Sequence, residues 1–389
     1  MSHVVLWTSS FKRICFSNFL LFLSWYTLLP ALPAVMTERL QLIPSSAGAI
    51  GLLFTGAMLI LGSFYSYLID TYKRKYIYML ALVIMTGAAL VYDVINNNAE
   101  LWMLCLVQGM AFGVGTTAII TLSIDLTAST QRSAGNIVFG WSTRLGMITG
   151  LTLGTVFYLY SGFTVITYTS AIAGAIALLT ILTVHVPFRA PIGVKICSLD
   201  RFFLPHGYLL MLNLIFIAFI PGLLIPLIGK ETHSFIIQSI TIPCFAATGI
   251  GFLLFVWRVK SLRKENEIYK QIITGLLTIL AAMSLLVFFT NEITRLSSYA
   301  LLGIGLGLIT SEFLTMFVML SNHCQRGAGN TTHLLGWEIG ISLGVTTACY
   351  FAANNLPEII LSAGLLSSVL ALLFFILITY PYFIKKKVR

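Results

Sequence analysis

Charge is the scarcest property of this chain. Asp, Glu, Lys and Arg together make up 9% of its 389 residues, where a soluble globular protein carries about 25%. So few charges cannot cover a water-facing surface, and a soluble domain is excluded. Other features are absent too. No Gly-x-x-x-x-Gly-Lys-Ser/Thr segment occurs, so this chain has no phosphate-cradling loop with which to spend ATP. No His/Cys set has metal-ligand spacing, and no Ser/His/Asp set is recognisable, so neither a metal centre nor an enzyme is expected. The six cysteines, at 15, 105, 197, 244, 324 and 349, fall in apolar runs or beside basic segments, which argues against a disulfide framework.

What fills the chain is hydrocarbon: 58% of residues are hydrophobic, in runs of about 20 residues, the length that crosses a bilayer as a helix. The first run follows Lys12 and Arg13 and ends in LPALPAVMTERLQ. It is longer than a signal-peptide core and lacks a small-x-small cleavage site, so it reads as a retained span. The pattern predicts an all-α membrane protein with twelve spans, near 14–36, 47–69, 76–95, 101–125, 135–160, 164–186, 207–229, 236–257, 269–290, 298–321, 331–353 and 359–383.

Twelve spans put both termini on one side. Nineteen Lys and Arg fall on that side, from Lys12 to Arg389. Only Arg39, Lys230 and Arg295 fall on the other, and Arg144 lies inside a span. By the positive-inside rule both termini are expected in the cytoplasm, with the protein multi-pass in an inner (cytoplasmic) membrane. The same distribution assigns the net charge of +10 to topology and anionic lipid, so the bilayer is the expected partner and nucleic acid is not.

The chain also repeats itself. QRSAGNIVFGWSTRLGMITG from Gln131 aligns without a gap on QRGAGNTTHLLGWEIGISLG from Gln325, an offset of 194 residues. NFLLFLSWYTLLPALP from Asn18 is echoed by NLIFIAFIPGLLIP from Asn213. A link at 188–206, flanked by Pro187 and containing Pro191 and Gly193, then separates a six-helix half at 1–187 from another at 207–389. Two parallel six-span halves related by a pseudo-twofold axis form a transporter architecture, with the substrate site near the midplane between them.

After the second span comes SYLIDTYKRK, from Ser66. Here the chain resembles the major facilitator superfamily, whose loop at this point reads Gly-x-x-x-Asp-Arg-x-Gly-Arg-Lys. Asp70, Arg74 and Lys75 match, while Ser66, Thr71 and Lys73 depart from the pattern. The resemblance extends over the full length and also predicts an acid at the end of span four, met by Asp125. It implies a conformational latch in which Arg74 bridges Asp70 and Asp125 by charge-assisted hydrogen bonds, with Asp70 favouring the N-terminus of span eleven. The alternative is an interfacial charge cluster that only sets topology. In span five the efflux pattern Gly-x-x-x-Gly-Pro-x-x-Gly-Gly survives as Gly146, Gly150 and Gly154, with Leu151 and Thr155 replacing the Pro and the last Gly. Close helix packing explains those glycines equally well. In span four, Arg-x-x-Gln-Gly survives as Cys105, Gln108 and Gly109, without the Arg that often serves proton coupling.

Three ionisable residues fall inside predicted spans: Arg144, Glu312 and Glu338. Each costs at least ~2.5 kcal/mol at a helix centre on insertion scales, so each is expected to face a cavity or a partner. Glu312 reads as a proton or cation site, or as a hydrogen-bonded acid that pins two helices. Arg144 and Glu338 occupy matching positions of the repeat, about 12 Å beyond their Asn at 1.5 Å per residue. They contact substrate, form a pair that differs between states, or pair within their own halves. A direct pair is not expected, because spans five and eleven usually flank the cavity from opposite sides. Trp25, Tyr26, Gln108 and Asn213 are further cavity candidates, and His333 reads as interfacial.

The whole predicts a secondary active transporter: proton-coupled export of a small amphipathic or drug-like molecule by alternating access. Proton-coupled uptake of a sugar or organic acid is the alternative, and a transporter-like sensor or scaffold a third reading. No cofactor is expected beyond a proton gradient as driving force, and the protein is expected to be monomeric.

Overall fold

The structure, a computed structural model, describes residues 6–128, 130–186, 195–228, 233–237, 240–262, 268–322, 325–354 and 356–387. Pro187, Arg189, Pro191 and Gly193 of the link lie outside the described residues, as do Lys230, Arg263, Lys264, Cys324 and Arg389.

Of the described residues 84% are helical. Its helices are α1 (Ser9–Leu28), α2 (Leu32–Leu40), α3 (Pro44–Ala47), α4 (Ala49–Ile60), α5 (Gly62–Thr71), α6 (Arg74–Val91), α7 (Asn98–Asp125), α8 (Arg132–Ser161), α9 (Phe163–Leu182) and α10 (Tyr208–Leu224). A hairpin of β1 (Ser234–Ile237) and β2 (Ile240–Pro243) follows. Then come α11 (Ala246–Leu262), α12 (Ile268–Phe288), α13 (Glu292–Leu320), α14 (Arg326–Ala353), α15 (Pro357–Phe374) and α16 (Tyr380–Lys386). Among the described residues nine helices are long and apolar enough to cross a membrane, or ten if the bent pair α4–α5 is one span. This is a multi-pass membrane protein.

Several predicted spans are not simple helices, for local reasons. The first breaks between α1 and α2 at Leu29–Ala31, beside Pro30 and Pro33, since proline cannot donate the backbone bond that would continue the helix. The second bends by 53° between α4 and α5. The segment expected to open span eight is instead an antiparallel hairpin, Ser234 facing Pro243 and Ile237 facing Ile240. Its β-branched isoleucines favour the extended pairing, and Pro243 closes it before α11 begins. Between α15 and α16 a π turn at Phe375–Thr379 precedes Pro381. The missing N–H of that proline loosens the ladder there.

Packing sorts the helices. In the first group α1 lies against α8 and α9, α6 against α7 and α9, and α4 against α7. In the second, α10 lies against α14 and α15, α12 against α13 and α15, and α11 against α13. The repeat glycines explain the closest pairs. A Cβ on Gly146 of α8 would collide with the Phe19 carbonyl of α1, and one on Gly340 of α14 with the Ile215 carbonyl of α10. Only glycine allows backbones to approach this closely, so in both groups the repeated helix seats on the first helix of its group. The groups meet through α4–α14, α8–α13, α8–α11 and α7–α14.

The start of α1 and the end of the last helix lie at one end of the bundle. Arg13 donates to the Thr183 carbonyl after α9 (2.7 Å), and Tyr382 packs edge-on against Tyr208 at the start of α10 (5.7 Å). The link crosses this end between the groups. Ser198 N–H donates to the Ser63 carbonyl (2.9 Å), and Leu204 N–H to Thr332 Oγ1 of α14 (2.7 Å).

Candidate functional site

The charge cluster at the end where α1 begins forms as the loop pattern implied. Asp70 ends α5 and Arg74 opens α6 after an extended Lys73, which places the two side chains together. Arg74 Nη2 donates to Asp70 Oδ1 (2.7 Å), its Nη1 to Asp125 at the end of α7, and its Nε to the Ile69 carbonyl (3.3 Å). All three side chains are largely buried. The link adds Arg201, a residue without a signal in the sequence. Its Nε donates to Asp70 Oδ2 (3.0 Å) and its Nη2 to Asp70 Oδ1 (3.3 Å). Asp70 thus has a second cationic partner beside Arg74, and Arg201 itself lies near Gly327 at the start of α14. Phe202 follows it and packs edge-on against Tyr65 of α5 (5.3 Å).

The second site lies deeper, between the groups. A cavity of about 30 Å³ is lined by Asn18 and Phe22 of α1, Thr116 and Ile120 of α7, Phe139, Thr143 and Arg144 of α8, Leu314 of α13, and Asn330 and His333 of α14, among others. Asn136 and Asn330, the matching asparagines of the repeat, both line it. Arg144 forms one end. The carbon of its guanidinium lies over the Trp337 ring, 3.9 Å from the centroid, a cation–π contact that is strongest where water is excluded. Trp337 Nε1 donates to His333 Nε2 (3.2 Å). On the same helix Glu338 accepts from Tyr26 Oη of α1, at 3.0 Å to Oε1 and 2.9 Å to Oε2. Arg144 acts on both Glu338 and Tyr26 through its field. Among the described residues no ion pair joins Arg144 directly to Glu338.

The structure therefore brings Arg144, Glu338 and Tyr26 into one buried cluster, although spans five and eleven were expected to stand apart. Trp25 is adjacent but turned away, stacked on Phe54 of α4 at 3.7 Å. His333 corrects the reading from sequence: it is buried and lines the cavity instead of lying at the interface. Gln108 and Asn213 are not among the cavity residues. Gln108 Oε1 accepts from Tyr92 Oη (2.7 Å), fastening α6 to α7, and Asn213 Nδ2 donates to the Ala371 carbonyl (3.0 Å), fastening α10 to α15. Glu312 is buried on α13 and does not line the cavity. Its neighbour Ser311 accepts from Trp141 Nε1 of α8 (2.8 Å), one of the few polar bonds between the groups. Asn18 took a minor place in the sequence reading, yet it is a central cavity residue, and its position at the head of the span-one echo was the available signal.

Known proteins place this architecture. The family model described as Major Facilitator Superfamily matches residues 14–345. The human organic anion transporter MFSD10 (TETRAN) superposes with a TM-score of 0.71 at 15% identity, covering 94% of this chain and 98% of that one. A bacterial homolog of the human lysosomal transporter Spinster, in an inward-facing and unoccupied conformation, superposes with a TM-score of 0.66 at 13% identity, covering 98% of each chain. In sequence, Protein spinster homolog 3 of Mus musculus is 25% identical over 146 residues, which is 36% of this chain and only 28% of that protein's length. Family, fold and buried polar site agree, and the chain belongs to the major facilitator superfamily, a family of secondary transporters and not of enzymes.

Proposed function

We propose that this protein is a proton-coupled exporter of a small amphipathic or drug-like molecule, working by alternating access. In this reading twelve spans form two six-helix halves, 1–187 and 207–389, joined by a cytoplasmic link at 188–206. The halves rock about the cavity in an inner membrane, with both termini cytoplasmic. The working unit is a monomer in lipid, driven by the proton gradient and without a cofactor. The observation that carries the proposal is the bond from Tyr26 on α1 to Glu338 on α14 beside the buried Arg144. It joins the halves through an ionisable group at the depth where substrate would sit. Protonation of Glu338 weakens its hold on Tyr26 and its attraction to Arg144, and so couples proton binding to separation of the halves. An anionic group on the substrate fits Arg144, and MFSD10, of similar fold, is an organic anion transporter.

The departures from the efflux patterns, Leu151 in place of proline and Cys105 in place of arginine, favour a second reading in which the same cycle takes up a sugar or organic acid. One experiment separates the two. In everted membrane vesicles holding a respiration-driven pH gradient, compounds are added and the gradient is followed by a fluorescent amine. Collapse of the gradient by a compound, only when the protein is present, is the expected result. Accumulation of that compound in right-side-out vesicles under an inward proton gradient would reverse the assigned direction. Transport unaffected by an uncoupler would remove the proton.

A further inference from the structure

The cavity contains more unmet polar demand than a transporter needs merely to hold its helices together. Arg144 is 1% exposed, and its Nε has no hydrogen-bond partner. Its other polar contact is Met147 Sδ at 3.7 Å from Nη1, a weak acceptor. Glu338 reaches this desolvated guanidinium only through its field, without a direct ion pair, so the free Nε donor still suits an anion.

Opposite it stand unmet acceptors. Asn18, 0% exposed, donates through Nδ2 to Ser142 Oγ (2.9 Å) and Thr143 Oγ1 (2.8 Å). Both hydroxyls spend their own protons on the Phe139 carbonyl, at 2.7 and 3.3 Å. They can only accept from Asn18, which fixes the orientation of its amide: the nitrogen faces α8 and the unpartnered buried atom is the oxygen, Oδ1. Asn330, 5% exposed and also lining the cavity, has an unpartnered Oδ1 as well. Buried acceptors left this way cost free energy until a donor arrives. The remaining walls are apolar: Phe22, Ile120, Phe139, Leu314 and Leu334.

From this arrangement we infer that the cavity takes a small amphipathic acid bearing a hydroxyl or ammonium group next to its acid. Arg144 holds the acid, Asn18 and Asn330 accept from the neighbouring donor, and the apolar walls hold the rest. At about 30 Å³ the cavity as it stands has room for about two waters. The ligand therefore enters only as the halves part, so the assignment rests on the alternating-access reading above.

The test uses four probes on one carbon skeleton: phenylalanine, phenyllactate, 3-phenylpropionate and 2-phenylethylamine. Binding to the full chain purified in detergent is measured by calorimetry. The amino acid or the hydroxy acid is expected to bind at least about tenfold tighter than 3-phenylpropionate, the value of one buried hydrogen bond, and the amine least of all. In Asn18→Ala that advantage shrinks to about twofold or less. In Arg144→Gln all three acids are lost. Equal affinity of the wild type for the substituted and plain acids overturns the donor assignment, and preference for the amine overturns the acid. These comparisons need only the wild-type chain. Absence of binding by all four overturns the substrate class. A probe that binds without moving protons in vesicles would keep this assignment and overturn proton-coupled transport. A compound outside the class that collapses the gradient would do the reverse.

Discussion

The hydroxyl of Tyr26, on the first helix of the first group, lies 2.9 and 3.0 Å from the two carboxylate oxygens of Glu338, on the repeated helix of the second. Both residues are fully or almost fully buried. The bond is thus a desolvated link between groups of helices that must separate if the cavity is to open.

The pair should behave as a unit. Tyr26→Phe leaves an acid buried without its donor, at a cost of about 1–3 kcal/mol, and Glu338→Gln removes the charge that the hydroxyl serves. Thermal unfolding of the two single variants and the double variant in detergent should give a coupling energy of about 1 kcal/mol or more. Strictly additive losses would mean that the two residues act separately.

Arg144 should not tolerate lysine. The guanidinium lies over the Trp337 ring at 3.9 Å, whereas an ammonium is a compact, strongly hydrated charge that cannot reproduce the planar fork. Arg144→Lys is expected to lower transport at least about tenfold, and Trp337→Leu to lower it by a smaller factor. The check is initial rate in vesicles at equal protein. Wild-type rates in Arg144→Lys would reduce the contact to one of charge alone.

The link should bias the equilibrium between states through Arg201. Removing it leaves Asp70 with Arg74 alone. The opposite end reports the outcome, because Thr55 of α4 and Ser342 of α14 have hydroxyls 2.6 Å apart. In a background without native cysteines, oxidative cross-linking of Thr55→Cys with Ser342→Cys should change in rate at least about threefold on adding Arg201→Ala, and by more on adding Asp70→Asn. A shift of about 1 kcal/mol moves a near-balanced equilibrium this much. An unchanged rate in both would reduce the cluster to a determinant of topology.

Glu312→Gln is expected to abolish proton-coupled transport while the chain still inserts, as judged by a monodisperse peak in size-exclusion chromatography. Coupling at the wild-type ratio in that variant would assign the proton to Glu338 alone.

Packing glycines should divide by their surroundings. Gly146→Val drives side-chain atoms into the α1 backbone and should prevent recovery of stable protein. Gly56→Ala, where a Cβ meets nothing within 4 Å, should leave the unfolding temperature within about two degrees of wild type or raise it, since alanine favours helix over glycine. Thermal unfolding in detergent reads both.

Much of the frame was legible before the fold was known. Apolar run length is a property of one-dimensional order, and a bilayer converts it into membrane-crossing helices with little further choice. The cluster of Asp70, Arg74 and Asp125 was legible through the resemblance to the family's loop pattern, which also implied the acid at the end of span four. Arg201 was not, because its chain crosses from the link and nothing local marks where its side chain ends. The β1–β2 hairpin was misread as helix because a short run such as SFII or ITIP is apolar in either form, and hydropathy alone cannot separate them.

The sequence by itself determined that this is a membrane protein of repeated design, with a charged turn at Asp70–Arg74 and an Arg-for-Glu asymmetry at positions 144 and 338. Tertiary structure decided where the two sides of the asymmetry meet. Only packing of α1 against α8, and of α14 across α4 and α7, could place Tyr26, Arg144, Trp337 and Glu338 in one dry cluster. Only the hydrogen bonds of Ser142 and Thr143 could turn Asn18 Oδ1 into an unmet acceptor. Facing and pairing depend on helix rotation to within a fraction of a turn. That rotation is set by glycine-scale contacts between residues more than a hundred positions apart, which the order of residues along the chain does not display.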